Sequence, residues 1–310
     1  MVEEFSSKIA TEMNIMAALA LIPAVMYAVQ AISFKMYGYM CDKSKSSFAL
    51  FTTLYLCFAA VLCLPFVFIM DKGAINLESI VYGVIYGVAF FGFIVLYDKA
   101  IKNGPLSVTV FVFATSAIIP IIVSAIAFSE SITAFHVIGF AIVILSLYFI
   151  AFSSSHRKTT EKKQYSKSWI LYCVFGVLLN SATMVIAKFF GKNVEGGSVY
   201  QYLFMTFLVG AFLSLGLYIP KETRLGMKSV GVDKWFIILA VAVAVSSAVG
   251  NGLIAELGKI LDGAVLFPIV SSVSISISSL VSIFLFEEKL DTKGIVGLIL
   301  GIVAIVLLSI

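Results

Sequence analysis

Charge is what this sequence has least of. Asp, Glu, Lys and Arg together make up 12% of its 310 residues, about half the share of an ordinary soluble domain. No acidic residue falls in the middle third of any of the long apolar runs: Asp98, Glu130, Glu256 and Glu288 all stand at run ends. Cysteine is sparse as well. Cys41, Cys57, Cys63 and Cys173 show no CxxC or Cys/His spacing, which argues against a metal site and a disulfide framework. The two histidines, His136 and His156, are far apart and near loops. A membrane-embedded enzyme needs clustered nucleophile, base or metal ligands, so no catalytic residue, metal or cofactor is expected. No glycine-rich phosphate loop occurs, and nothing points to nucleic acid. The N-terminus carries Glu3, Glu4 and Glu12 against Lys8 alone, unlike the basic start of a cleavable signal.

What fills the chain instead is apolar. Hydrophobic residues reach 61% and the mean hydropathy is +1.09. Ten apolar runs are expected to be helices, at roughly 14–37, 48–69, 76–97, 105–127, 133–153, 168–190, 198–219, 234–256, 263–286 and 293–310. About 20 residues cross a hydrocarbon core of about 30 Å, and backbone groups in lipid must be satisfied within the segment. Fifteen lysines and arginines lie in loops on the side of the 153–167 linker, and four lie on the side of the termini. The positive-inside rule therefore expects a cytoplasmic linker and both termini outside.

The two halves repeat. A shift of 158 positions lays Gly92 on Gly250, Asp98 on Glu256, Phe128 on Phe286, Glu130 on Glu288 and Gly139 on Gly297. Upstream, a shift of 153 lays Lys35 on Lys188, Gly38 on Gly191, Phe51 on Phe204 and Thr53 on Thr206. The expected organisation is a tail at 1–13, a first repeat at 14–152, the basic linker at 153–167 and a second repeat at 168–310. Five helices is an odd number, so the second repeat must insert upside down. Duplicated apolar chains of this kind build carriers that alternate access around a central site.

The segments FSESITAFHVIGFAIVILSLYFI (128–150) and FLFEEKLDTKGIVGLILGIVAIVLLSI (284–310) carry a resemblance. Glu130, Ile132, Thr133 and Gly139, and again Glu288, Leu290, Thr292 and Gly297, resemble the acidic helix end, turn and glycine of the drug/metabolite transporter superfamily, in its ten-helix members with two EamA-like repeats. The resemblance implies an all-α membrane fold with a central cavity walled by helices 1, 3, 4, 6, 8 and 9. It implies little about substrate, since relatives carry amino acids, sugars, nucleotide sugars, choline-like cations and drugs. The small multidrug relatives use a carboxylate deep in the first helix, and this chain has none there.

Residues near the middle of those helices are the candidate substrate site. Tyr27 and Gln30 share a face of helix 1 with Pro23 and map onto Asn180 and Thr183 of helix 6. Helix 3 carries an aromatic face that includes Tyr86, with Gly83 and Gly87 on the adjacent face where a neighbour can approach closely. Helix 8 offers Ser247 and Asn251, and helix 4 offers Thr115 and Ser116 ahead of Pro120. Helix 9 holds a serine-rich stretch after Pro268, with Ser274 as its candidate. For each of these polar groups the competing reading is a bond that ties neighbouring helices together. Lys35 and Lys188 are the intramembrane basic groups, read either as snorkelling to the headgroups or as binding an anionic group. The expected function is a carrier for a small polar metabolite such as an amino acid, with an exporter of cationic or amphipathic drugs as the alternative and a receptor or scaffold as the remoter one. Expected partners are the solute and membrane lipid, for a monomer or a homodimer in the cell membrane.

Overall fold

The computed structural model describes residues 18–40, 48–72, 74–103, 112–113, 115–130, 133–151, 167–224, 234–286 and 292–308. Linker residues 153–166, the N-terminal tail, Cys41, Ile132, His156, Glu288 and Leu290 lie outside the described residues, and Lys167 opens a helix. Among the described residues there are ten α-helices and no strand. The first half contains α1 (Leu21–Met40), α2 (Phe48–Met70), α3 (Leu77–Asn103), α4 (Ile118–Phe128) and α5 (Ala134–Ala151). The second contains α6 (Lys167–Asn193), α7 (Val199–Arg224), α8 (Lys234–Leu257), α9 (Gly263–Phe286) and α10 (Thr292–Leu308). Five stretches are long and apolar enough to cross a membrane: Phe48–Met70, Leu77–Ala100, Lys167–Asn193, Val199–Gly216 and Lys234–Leu257. Shorter apolar stretches lie on the other five helices. Large apolar side chains such as Phe68, Ile126 and Phe284 point outward and are exposed, as lipid-facing groups must be.

Helix 4 is the clearest departure from the sequence expectation of 105–127. Inside that run residues 112–113 are helical, Thr115–Ala117 form a 3-10 turn and α4 spans Ile118–Phe128. Pro120 therefore stands in the first turn of α4 rather than mid-helix. A proline is well tolerated there because the missing N–H would have had no helical partner.

The halves pack on each other rather than as separate bodies. α2 lies along α7 and α5 along α10; α3 contacts α6 and α7, as α8 contacts α1 and α2; α1 meets α9 as α6 meets α4. Exchanging the halves thus maps each of these contacts onto another one. Glycines make the closest approaches. A Cβ on Gly83 would sit 2.5 Å from the Tyr202 carbonyl oxygen, and one on Gly87 2.7 Å from that of Thr206. Only a bare backbone lets α3 and α7 come so near, as the spacing of these glycines leads one to expect. Gly92 and Gly250, equivalent in the two repeats, face equivalent helices: Gly92 meets Leu179 on α6, and Gly250 meets Tyr27 and Met26, the repeat equivalent of Leu179, on α1.

At one end of the bundle the chain is tied across the halves. The Asp71 carboxylate accepts from the Ser198 hydroxyl and from the Gln201 amide, which also donates to the Ala74 carbonyl at 2.6 Å. Asn76 donates its N–H to Gln201, and Ser198 donates its N–H to Ser79. These bonds fasten the α2–α3 turn to the start of α7.

Candidate functional site

Near the middle of the bundle, polar side chains from both halves converge on one amide. Asn251 on α8 is 4% exposed. Its Oδ1 accepts from the Tyr27 hydroxyl of α1 at 2.8 Å and from the Tyr86 hydroxyl of α3 at 2.8 Å. Its Nδ2 donates to the Ser247 carbonyl at 2.8 Å, one turn back. The Ser247 hydroxyl in turn accepts from Gln30 Nε2 at 2.7 Å. Thr183 of α6 donates to the Asn180 carbonyl at 2.7 Å. Asn180 Nδ2 donates to the Ser116 hydroxyl at 2.6 Å, and the Ser116 carbonyl accepts from Ser181 at 2.8 Å. The structure therefore brings Tyr27, Gln30, Tyr86, Asn180, Thr183, Ser116, Ser247 and Asn251 into two hydrogen-bonded groups. Every residue in them is neutral, which suits a place where an isolated charge is costly.

Two expected site residues stand apart. Thr115 is half-buried and turns back to donate to the Val112 carbonyl at 2.6 Å, securing the 3-10 turn. Ser274 is half-buried and joins neither group. Its neighbours Ser272 and Ser276 bond to carbonyls of their own helix at Pro268 and Ser272, and Ser276 faces Gly301 of α10. Those hydroxyls serve close packing of α9.

The lysines part company. Lys188 does not snorkel: it is 2% exposed and its ammonium pairs with Glu130 at 2.7 Å. It also donates to the Leu261 carbonyl and lies 6.0 Å from the centre of the Phe128 ring. Glu130 is brought there by Ser129, which closes α4 in the left-handed conformation at φ 52°. The carboxylate accepts from the Ser124 hydroxyl at 2.6 Å and from the Gly263 N–H at 2.7 Å. Burial opposes its charge, but Lys188, Ser124 and the Gly263 N–H outweigh burial and hold the Glu130 carboxyl below its ordinary range. The cluster joins the end of α4 to α6 and to the α8–α9 turn, so it bridges the halves. Lys35, its repeat equivalent on α1, is half-buried.

One residue of this region lies outside the sequence expectation. Tyr202 of α7 is fully buried, meets the Tyr86 ring edge-on at 5.4 Å and stacks on Phe190 at 4.4 Å. Helix 7 is not among the expected walls of the site, and the Gly83/Gly87 approach is the signal in the sequence that another helix lies against α3.

A family model described as the EamA-like transporter family matches residues 14–152 and again 167–310. No curated protein matches the sequence. A solved structure titled only as a crystal structure of a protein superposes with a TM-score of 0.72 at 14% identity, covering 94% of this chain and 95% of its own. At that identity the likeness shows the fold alone. The family match takes in nearly all of both halves, and this chain belongs to the EamA-like transporter family.

Proposed function

We propose that this protein is a secondary carrier, not an enzyme, that moves a small polar metabolite across the cell membrane by alternating access. In this reading the ten helices are two inverted five-helix repeats, with the termini outside and the basic linker in the cytoplasm. The observation that carries it is the neutral polar group around Asn251, drawn from α1 and α3 of one half and α8 of the other. Helices from both halves supply its members, so a rocking of one half against the other would remake it. Carriers commonly bind solute at such a repeat interface.

The Glu130–Lys188 cluster supports the same reading. With the lysine asymmetry setting the sides, it lies at the outer end of the bundle, as does the Asp71 tie. Both join the halves there, and opening a path from outside requires the ion pair to separate. An amino acid or a related solute suits the mixture of hydroxyls, amides and rings. Uptake of radiolabelled solutes into proteoliposomes, across a metabolite panel, tests this. The expected result is saturable accumulation of one solute class; a correctly folded protein that moves none of the panel contradicts it.

A further inference from the structure

α7 packs against both α2 and α3, and a cavity of about 280 Å³ lies among the three at the Asp71 end of the bundle. Val67 and Phe68 of α2, Ile80 of α3, and Phe204 and Met205 of α7 line it. Ala74 and Ile75, in the turn from α2 to α3, line it as well. On the face of α7 that carries Met205, Phe212 is 68% exposed, and a Cβ on Gly216 would meet nothing within 4 Å. The cavity is thus the head of an apolar groove, bounded by a turn at one end and uncovered along α7 towards the other.

Gln201 also borders the cavity, and its amide is fully engaged. Its Oε1 accepts from the Asn76 N–H at 2.9 Å, and its Nε2 donates to Asp71 and to the Ala74 carbonyl. A polar solute would give up its hydration there and find no side-chain partner. Ile75 in the turn is 81% exposed and Leu77, which opens α3, is 71% exposed. Apolar groups that stand out at the end of a membrane-spanning bundle belong where hydrocarbon meets head groups. Positive charge at that level comes from Lys72, exposed in the same turn. The neighbouring Asp71 carboxylate is taken by Ser198 and Gln201, and Glu78 borders a separate cavity with Tyr82 and Asn193. A cation at the head of an apolar groove complements an anionic lipid.

We propose that this groove binds one anionic phospholipid of the bilayer, with an acyl chain lying along α7 and the phosphate at Lys72. The site is separate from the polar group around Asn251 and does not depend on which solute is carried. Ile126 of α4 provides the control: it is 78% exposed and lines no part of this cavity.

The test is native mass spectrometry of the purified full-length protein in detergent, titrated with phosphatidylglycerol or with phosphatidylcholine of the same chains. One saturable adduct is expected, with phosphatidylglycerol bound more tightly by roughly fivefold, the worth of one lysine at a lipid surface. Lys72→Gln should remove that preference and leave phosphatidylcholine binding unchanged. Ala74→Phe sets a ring in the cavity and should weaken both lipids by roughly tenfold or more, since each methylene displaced is worth about fourfold. Ile126→Phe should change neither. In the unaltered protein, shortening the chains should weaken binding, which tests the groove without any substitution. A ladder of adducts that never saturates and is the same in Ala74→Phe would mean that lipid only coats the bundle, and would overturn the site. A dimer that disappears in Ala74→Phe would mean that a second copy covers the groove, and would overturn the lipid as its occupant. A saturable adduct that is blind to the head group and to Lys72→Gln would overturn the phosphate contact.

Discussion

The Glu130 end of the bundle and its middle solve the same problem in opposite ways. At the end, Lys188 and Glu130 are charged, buried and answered on several sides by Ser124, Gly263 and Leu261. In the middle, Tyr27, Tyr86, Gln30, Ser247 and Asn251 share neutral hydrogen bonds, with the Tyr202 ring against that of Tyr86. A buried ion pair holds only while both members remain, so it acts as an all-or-none fastening. Neutral bonds are individually weak and exchangeable, which is what a site that must release its solute needs. The difference suggests that one region sets stability and conformation while the other sets recognition.

Breaking the ion pair on one side should have the largest effect. Glu130→Ala leaves Lys188 buried without its carboxylate and should cost about 3–5 kcal/mol in stability. The double change Glu130→Leu with Lys188→Met should recover most of that, because neither charge then needs an answer. Denaturant titration in detergent measures both. Lys35→Met, at the equivalent but half-buried position, should fall within about 1 kcal/mol of the wild type. Equal losses at 35 and 188 would erase the contrast between the two.

Backbone contact comes next. Gly83→Ala places a Cβ against the Tyr202 carbonyl, and forcing α3 from α7 should destabilise by about 1–3 kcal/mol. Gly216→Ala, with nothing within 4 Å, should be neutral or stabilise by up to about 1 kcal/mol through helix propensity. Melting curves of the pair compare a helix contact with an open helix face. Smallest of all is the effect of a cysteine placed at Thr160, which should leave stability and transport unchanged. A membrane-impermeant thiol label should reach it only after permeabilisation. Labelling in intact cells would turn the bundle over and put the Glu130–Lys188 cluster on the inside.

Much of the helix pattern can be read from the chain because apolar runs separated by polar breaks are a one-dimensional signal. The ends of α2, α8 and α9 lie close to the expected limits. The 3-10 turn at Thr115–Ala117 cannot be read, since three residues inside a long apolar run do not change its hydrophobic pattern. Mid-helix polar residues at matching repeat positions point to Tyr27 and Asn180, a polar group in an apolar helix points to Asn251, and all three lie in hydrogen-bonded groups. Periodicity alone cannot tell that Lys188 is paired rather than snorkelling. That depends on Ser129 turning the chain, and on Gly263 presenting its N–H from the other half. Tyr202 is hidden in the sequence because its contact with Tyr86 depends on how closely α7 approaches α3.

The most direct measurement is the half-saturation constant for solute uptake in proteoliposomes by Asn251→Ala and Tyr86→Ala, set beside their melting temperatures. Losing a ligand hydrogen bond or a ring contact at the site should raise the half-saturation constant by roughly 5- to 150-fold in each. If both proteins melt earlier yet take up solute with an unaltered half-saturation constant, these side chains only hold helices together and the substrate binds elsewhere.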